Sequence, residues 1–146
     1  MAYADLARSH VKECLREAFE LPQLIVDDDG DVPFAHGTAR YYATVRADGR
    51  KVKVWSHAVT GVKVSAAVLR EVNAANAALE TARVVAVDDR VIVEGVLPVD
   101  GLTPPDLRDL CVEVGVTADR VGQLIAAVHG GRVGLPAEEG CEECGR

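Results

Sequence analysis

The chain has 146 residues, of which 49% are hydrophobic, and a formal net charge of −7. This length suits one domain with its own core, and the apolar fraction excludes a disordered chain. The negative charge disfavours duplex DNA and anionic membranes as partners. No stretch approaches the ~20 apolar residues of a membrane span, and the N-terminus lacks the layout of a signal peptide. We therefore expect a cytoplasmic protein with reduced cysteines.

Residues 2 to about 20 are predicted to form an amphipathic helix. Apolar residues recur at three- and four-residue steps from Tyr3 to Phe19, and charged side chains occupy the other face. Pro22 ends the helix soon afterwards. Cys14 lies on the apolar stripe, which predicts a small buried side chain.

A meander of three strands is predicted next, and an acidic turn interrupts its first strand. The strand-like run 24–26 precedes Asp27–Asp31, which contains four aspartates and one glycine. The strands at 39–46 and 51–57 alternate between apolar and polar residues, so one face of each should pack on the core. Asp48-Gly49 between them is a strong hairpin signal.

A second helix is predicted to begin near Ser65, which is a suitable N-cap. Its inward residues should be Val68, Leu69, Val72, Ala75, Asn76 and Leu79. Two Val-rich strands follow, at 83–87 and 91–97, and their weak alternation predicts cover on both faces. Gly95 inside the second strand predicts a bulge or a close approach of another backbone.

The last predicted helix begins at Thr103, which can cap it, with Pro104 in the first turn. Its apolar stripe continues through Leu124 and Val128, while Gly115–Thr117 marks a candidate kink. Gly130-Gly131 ends the helix.

The predicted element order is therefore α-β-β-β-α-β-β-α. This order indicates the α+β class, with an antiparallel twisted sheet and helices mainly on one face. We expect a single domain over residues 1–131. Residues 132–146 are rich in Gly, Glu and Pro and are expected to form a flexible tail.

The acidic turn does not fit the register of a calcium-binding loop. If Gly30 is placed at position 6 of the loop, position 1 is Ile25, which offers no oxygen ligand. In an extended segment Asp27, Asp29 and Asp31 need not converge. A solvated β-turn is the preferred interpretation.

The pair Cys141 and Cys144 forms half of a zinc site, because structural zinc takes four ligands. A second chain could supply the missing pair in a dimer. A redox role is weaker, because the motif does not open a helix after a strand. The preferred interpretation is a reduced tail without a metal, and no cofactor is predicted.

No catalytic signature is present elsewhere. The histidines His10, His36, His57 and His129 are scattered, and no Ser-His-Asp or Cys-His order is visible. No glycine-rich phosphate loop precedes a helix. The sequence therefore predicts a protein that is not an enzyme.

The polar face of the meander carries the main candidate site. Tyr42 and the only tryptophan, Trp55, share their strand parity with a set of basic residues. That set comprises Arg40, Arg46, Lys51, Lys53 and His57. Exposed aromatic residues beside cations are typical of recognition surfaces. The alternative is that Trp55 lies under the N-terminal helix or in a homodimer interface.

Residues 22–130 resemble the YbjN-like proteins and the related peptide-binding chaperone domains of actinobacteria, which are grouped with type III secretion chaperones of the CesT kind. The features that carry the resemblance are the turn Asp28–Phe34, the paired strands ending at Trp55-Ser56, Asn73 with Asn76, the strands at 84–88 and 91–94, and the Thr103-Pro104 helix. The resemblance implies a small, acidic, usually homodimeric domain that binds a partner peptide and carries no enzymatic site. It does not extend to Cys141 and Cys144.

The leading hypothesis is a non-enzymatic chaperone-like adaptor that binds an extended or amphipathic segment of a partner protein, either along a sheet edge or in an apolar groove. One alternative is a metal-dependent regulatory protein that uses the C-terminal cysteine pair. Another is single-stranded nucleic-acid binding, with bases stacked on Tyr42 and Trp55, although the net charge disfavours it.

Overall fold

The computed structural model of the protein describes residues 2–134. Its elements are α1 (Tyr3–Phe19), β1 (Asp31–His36), β2 (Ala39–Val45), β3 (Lys51–Thr60), α2 (Ala66–Ala77), β4 (Ala82–Val87), β5 (Arg90–Pro98), α3 (Pro104–His129) and β6 (Arg132–Val133). The strands form one antiparallel sheet in the order β1-β2-β3-β5-β4, and β6 pairs with β3. The predicted α+β class and element order are confirmed. The short strand β6 is an addition, and it lies where the tail was expected to begin.

Helices α2 and α3 begin directly after the predicted capping residues, Ser65 and Thr103. The Ser65 hydroxyl accepts the Val68 backbone N–H at 3.3 Å, and the Thr103 hydroxyl accepts that of Asp106 at 3.3 Å. Each bond satisfies one of the donors that a helix N-terminus leaves unpaired. None of the described helices is long and apolar enough to cross a membrane.

The first strand differs from its prediction. Residues 24–26 form neither helix nor strand, and β1 begins only after the acidic turn, at Asp31. Leu24 is buried, whereas Ile25 is 74% exposed. The run therefore supplies one side chain to the core, but no neighbouring strand pairs with it.

One face of the sheet packs on α1 and α3, and this inner face holds the core. The inward residues of β2 and β3 are the ones that the alternation predicted: Tyr41, Ala43, Val45, Val52, Val54 and Ala58 are all buried. Aromatic stacking continues from α1 to the sheet, from Phe19 to Phe34 and from Phe34 to Tyr41. Arg108 of α3 donates to the Ala18 carbonyl of α1 at 2.9 Å, which joins the two helices.

Three glycines let α3 approach the sheet closely. A Cβ at Gly95 would collide with Leu110, one at Gly115 with the Tyr41 hydroxyl, and one at Gly122 with the Ala58 carbonyl. At Gly95 the close neighbour is the Leu110 side chain and not another backbone, and the register irregularity of β3 lies between His57 and Val59. Helix α3 is not split at 115–117 but is continuous, and Gly115 makes room for Tyr41.

Some predicted core positions are exposed. Leu69 of α2 and both Leu124 and Val128 of α3 are about half exposed or more. Helix α2 buries only Val68 and Val72, because it lies at the β4 edge of the sheet and contacts α3 from the side. In α2 and α3 the apolar stripe is therefore wider than the surface of neighbouring elements that packs against it.

Both edges of the sheet are partly closed to an added strand. At the β4 edge, the Asn76 side chain donates to the Val84 carbonyl at 2.9 Å and accepts the Val84 N–H at 2.7 Å, as a neighbouring strand would. At the β1 edge, the Asp31 backbone N–H donates to the Asp27 carboxylate, and the Asp31 carbonyl accepts the Asp27 backbone N–H. The backbone polar groups of alternate residues in a strand point to the same edge. The next residue after Asp31 whose backbone faces this edge is therefore Pro33, which has no N–H to donate.

Candidate functional site

The outer face of the sheet is the face opposite α1 and α3. The strand registers place Pro33, Tyr42, Trp55, Glu94 and Arg83 in one row across it. Val96 on this face is 44% exposed, and Ile92 and Val85 are partly exposed. No helix among residues 2–134 covers this face, and Tyr42 and Trp55 are partly exposed on it.

The outer face is organised around a stacked aromatic pair. Tyr42 and Trp55 lie opposite each other in the β2–β3 ladder, with ring centroids 4.5 Å apart and ring planes 21° apart. The Trp55 indole N–H donates to the Thr44 hydroxyl at 3.2 Å, and that hydroxyl donates to the Asp31 carboxylate at 2.6 Å. These contacts fix the rings before any partner binds. Trp55 therefore does not lie under α1; a recognition surface and a homodimer interface both remain as hypotheses.

His57 departs from the predicted set of cations. It contacts Trp55 edge-on, with centroids 5.4 Å apart, but it is only 7% exposed. Burial lowers the pKa of His57 to about 4, with a smaller effect from the Arg90 charge. The imidazole is therefore neutral at pH 7, and the basic character of the face comes from arginine and lysine.

Protonation of His57 should make stability depend on pH. The folded-state pKa of His57, about 4, is below the value of about 6.5 for an unfolded histidine. The unfolded chain therefore binds this proton first, and stability falls as the pH drops from about 6.5 to about 4. We expect a loss of about 2 kcal/mol, less than the full shift implies, because solvent in the adjoining cleft screens the charge.

The measurement is urea denaturation of the wild type and of His57→Gln between pH 4 and 8. The difference in the free energy of unfolding between the two proteins should be constant above pH 7 and should move in favour of His57→Gln below pH 6. Parallel pH profiles would show that the imidazole is not desolvated.

A cleft of about 560 Å³ opens beside His57. It exists because β2 pairs with β3 only as far as Trp55, whereas β6 joins β3 at Val59. The β1–β2 turn, β6 and the middle of α3 surround this gap. Its lining includes His36, Arg40, Ser56, His57, Val112, Gly115, Val116, Asp119 and Val133. Sequence reasoning missed the cleft; the one signal for it was Gly115 in the middle of a helical stripe.

The acidic turn is more compact than predicted. Carboxylate oxygens of Asp27, Asp29 and Asp31 lie within 4.8 Å of one another, so the expectation that they need not converge is wrong. The cause is an Asx-type turn, in which one Asp27 carboxylate oxygen accepts the backbone N–H groups of Asp29 and Asp31 at 3.0 and 2.9 Å. The turn is thus closed by its own hydrogen bonds.

We expect that the protein needs no metal to fold. The acidic turn is internally hydrogen-bonded, and Cys141 with Cys144, which lie outside the described residues, supply only half a zinc site. A strong chelator should leave the thermal melting curve unchanged, with readdition of Zn²⁺ as the control. Unfolding or loss of a dimer on chelation would mean that the cysteine pairs of two chains share zinc.

The two described cysteines, Cys14 and Cys111, are poor nucleophiles. Burial raises the pKa of the Cys111 thiol to about 12. Burial also raises the pKa of Cys14, with nearby Glu17 and other acidic groups adding to the effect. His10 lies 3.7 Å from the Cys14 sulfur, but its Nε2 is closer to the Leu102 carbonyl, at 2.9 Å. This pair therefore does not form the thiolate–imidazolium arrangement of cysteine enzymes.

The fold and the uncovered outer face define a class: small α+β domains built like the secretion chaperones. Residues 5–137 match the family model described as T3SS (YopN, CesT) and YbjN peptide-binding chaperone 1. The chain belongs to this family, as its resemblance predicted. No curated protein matches the sequence significantly.

Solved structures share the fold at low sequence identity. A chain of the ExsC-ExsE complex is 14% identical, with a TM-score of 0.65 and coverage of 80% of this chain and 93% of that one. A chain of the HopA1-SchA chaperone-effector complex is 11% identical, with a TM-score of 0.63 and coverage of 84% and 98%. YbjN from E. coli is 16% identical, with a TM-score of 0.61 and coverage of 92% and 96%.

Proposed function

We propose that the protein is a non-enzymatic, chaperone-like adaptor of the cytoplasm that holds a segment of a partner protein on the outer face of its sheet. Arg40, Tyr42, Lys53, Trp55 and His57 would line the binding surface. The observation that carries the proposal is the stacked Tyr42–Trp55 pair on a sheet face that no described helix covers. Membership of a peptide-binding chaperone family supports the same function.

The outer face suits a partner segment better than the sheet edges do. The Asn76 side chain is hydrogen-bonded to both backbone groups of Val84 at the β4 edge, and Pro33 lacks a backbone donor at the β1 edge. The face instead offers two preorganised aromatic rings, which lose little conformational entropy when a partner binds. Rigid aromatic anchors of this kind dominate binding energy at protein interfaces.

Trp55 is also the reporter for the test of this function. Its fluorescence should change saturably when peptides selected for binding are titrated into the protein. Single-stranded oligo(dT) is the comparison, because stacked bases would use the same rings. Saturable binding of oligo(dT) that collapses between low and physiological salt, without any response to peptides, would overturn the adaptor function in favour of nucleic-acid binding.

We further expect a homodimer. The family resemblance implies one, and the partly exposed Val85, Ile92 and Val96 leave apolar surface for a second chain. Light scattering at micromolar concentration should give twice the 15.5 kDa mass of the chain. A single-chain mass without concentration dependence would contradict the dimer, and it would leave the outer face entirely to partners.

A further inference from the structure

We propose that the partner segment is acidic and that it places one apolar side chain in the cleft beside His57, so that the outer face and the cleft act as one binding site. This inference rests on the proposed function and names the chemistry of its partner. Two observations support the inference: the distribution of charge over the sheet and the position of the cleft.

Charge on the outer face is opposite to that of the chain as a whole. The chain has 23 acidic and 16 basic residues. By strand register, the basic residues of the outer face are Arg40, Lys51, Lys53, Arg83, Arg90 and Arg132, and Arg46 follows β2 in the same alternation, against the acidic Asp31 and Glu94. Such segregation favours a negatively charged partner.

Of the two acidic residues of the outer face, Glu94 is paired with a basic residue. Glu94 is 5% exposed and pairs with Arg83 at 2.6 Å, while Asp31 accepts the Thr44 hydroxyl and lies beside Asp27 and Asp29 at the β1 edge. Arg46 pairs with Asp48 of the adjoining hairpin turn at 2.6 Å. By register, Arg40 and Lys53 lie two residues from Tyr42 and Trp55, at opposite ends of the aromatic pair. Arg40 already has an interaction within the chain, so there a carboxylate of a bound segment would add to an existing contact.

The cleft continues this surface. Arg40 and His57 belong both to the outer face and to the cleft wall. On the opposite wall, Val112 and Val116 of α3 are 44% and 61% exposed. A cleft of about 560 Å³ is within the usual size range of ligand pockets, and it can take a leucine- or phenylalanine-sized side chain. The neutral imidazole adds a hydrogen-bonding group without repelling an apolar neighbour.

The two parts of the site would act differently. Attraction between the basic face and an acidic segment should speed association and weaken with salt. Burial of the apolar side chain against Val112 and Val116 should slow dissociation, because that contact is not screened. Together they would select acidic segments that contain an apolar residue over acidic segments in general.

The test is selection of a phage-displayed random dodecapeptide library on the full chain at physiological salt. Selected peptides are then measured against Arg40→Glu/Lys53→Glu and against the control Lys63→Glu/Arg70→Glu, which makes the same charge change at exposed positions on and before α2. Val116→Asp tests the cleft, and Leu124→Asp at a comparably exposed position of α3 is its control. All four variants replace partly or fully exposed residues, so circular dichroism should show that they fold.

The expected peptides are rich in Asp and Glu and contain at least one large apolar residue. Their affinity should fall at least tenfold with Arg40→Glu/Lys53→Glu and with Val116→Asp, and less than twofold with either control. Selected peptides without an acidic excess, or equal binding to the test and control variants, would overturn this inference and leave the adaptor function standing. Failure to select any peptide, or preferential binding of oligo(dT), would overturn both.

Discussion

Gly122→Ala is expected to destabilise the fold by about 3 kcal/mol, toward the upper end of the usual cost of overpacking a core. By helix propensity alone the change would stabilise α3 by about 1 kcal/mol. A Cβ at this position would instead collide with the Ala58 carbonyl. That carbonyl is backbone and accepts the Gly134 N–H at 3.1 Å, so it cannot rotate away as a side chain would, and helix and sheet must separate.

Urea denaturation measures this effect, with Gln123→Ala as the control. Gln123 is the exposed neighbour in α3, and its substitution should change the free energy of unfolding by less than about 0.5 kcal/mol. Gly95→Ala should fall between the two, because its added methyl group meets the Leu110 side chain, which can adopt another rotamer. A gain of stability in Gly122→Ala would refute the close contact between α3 and β3.

Trp55→Ala is expected to weaken the binding of selected peptides about 30-fold, which corresponds to about 2 kcal/mol for a central aromatic residue of an interface. The same change should lower the free energy of unfolding by only about 1 kcal/mol, because it removes one stacked pair, one edge-on contact with His57 and one hydrogen bond at the sheet surface. Peptide titration and urea denaturation measure the two effects separately.

The control for Trp55→Ala is Leu69→Ala, which removes a half-exposed apolar side chain from α2, away from the outer face. It should leave peptide affinity unchanged. A large loss of stability in Trp55→Ala, with no selective loss of binding, would assign the residue to the structural core. That result would also remove the main support for binding on the outer face.

The aromatic site shows how far strand parity can be used. Alternation along residues 39–46 and 51–57 placed Tyr42 and Trp55 on one face, and the β2–β3 register sets them opposite each other. The same parity grouped His57 with the cations, although burial makes it neutral. Parity determines which side of a sheet a residue occupies, but not how deeply its neighbours bury it.

Sequence alone determined the features that arise within a few neighbouring residues: the helix caps at Ser65 and Thr103, the alternation of the meander strands, and the family to which the chain belongs. Tertiary structure decided where β1 begins, the cleft beside His57 and the glycine contacts of α3. Each of these depends on residues far apart in the chain, such as Gly122 and Ala58. Hydrophobic periodicity predicts which residues favour burial, but the packing of strands and helices determines which of them are buried.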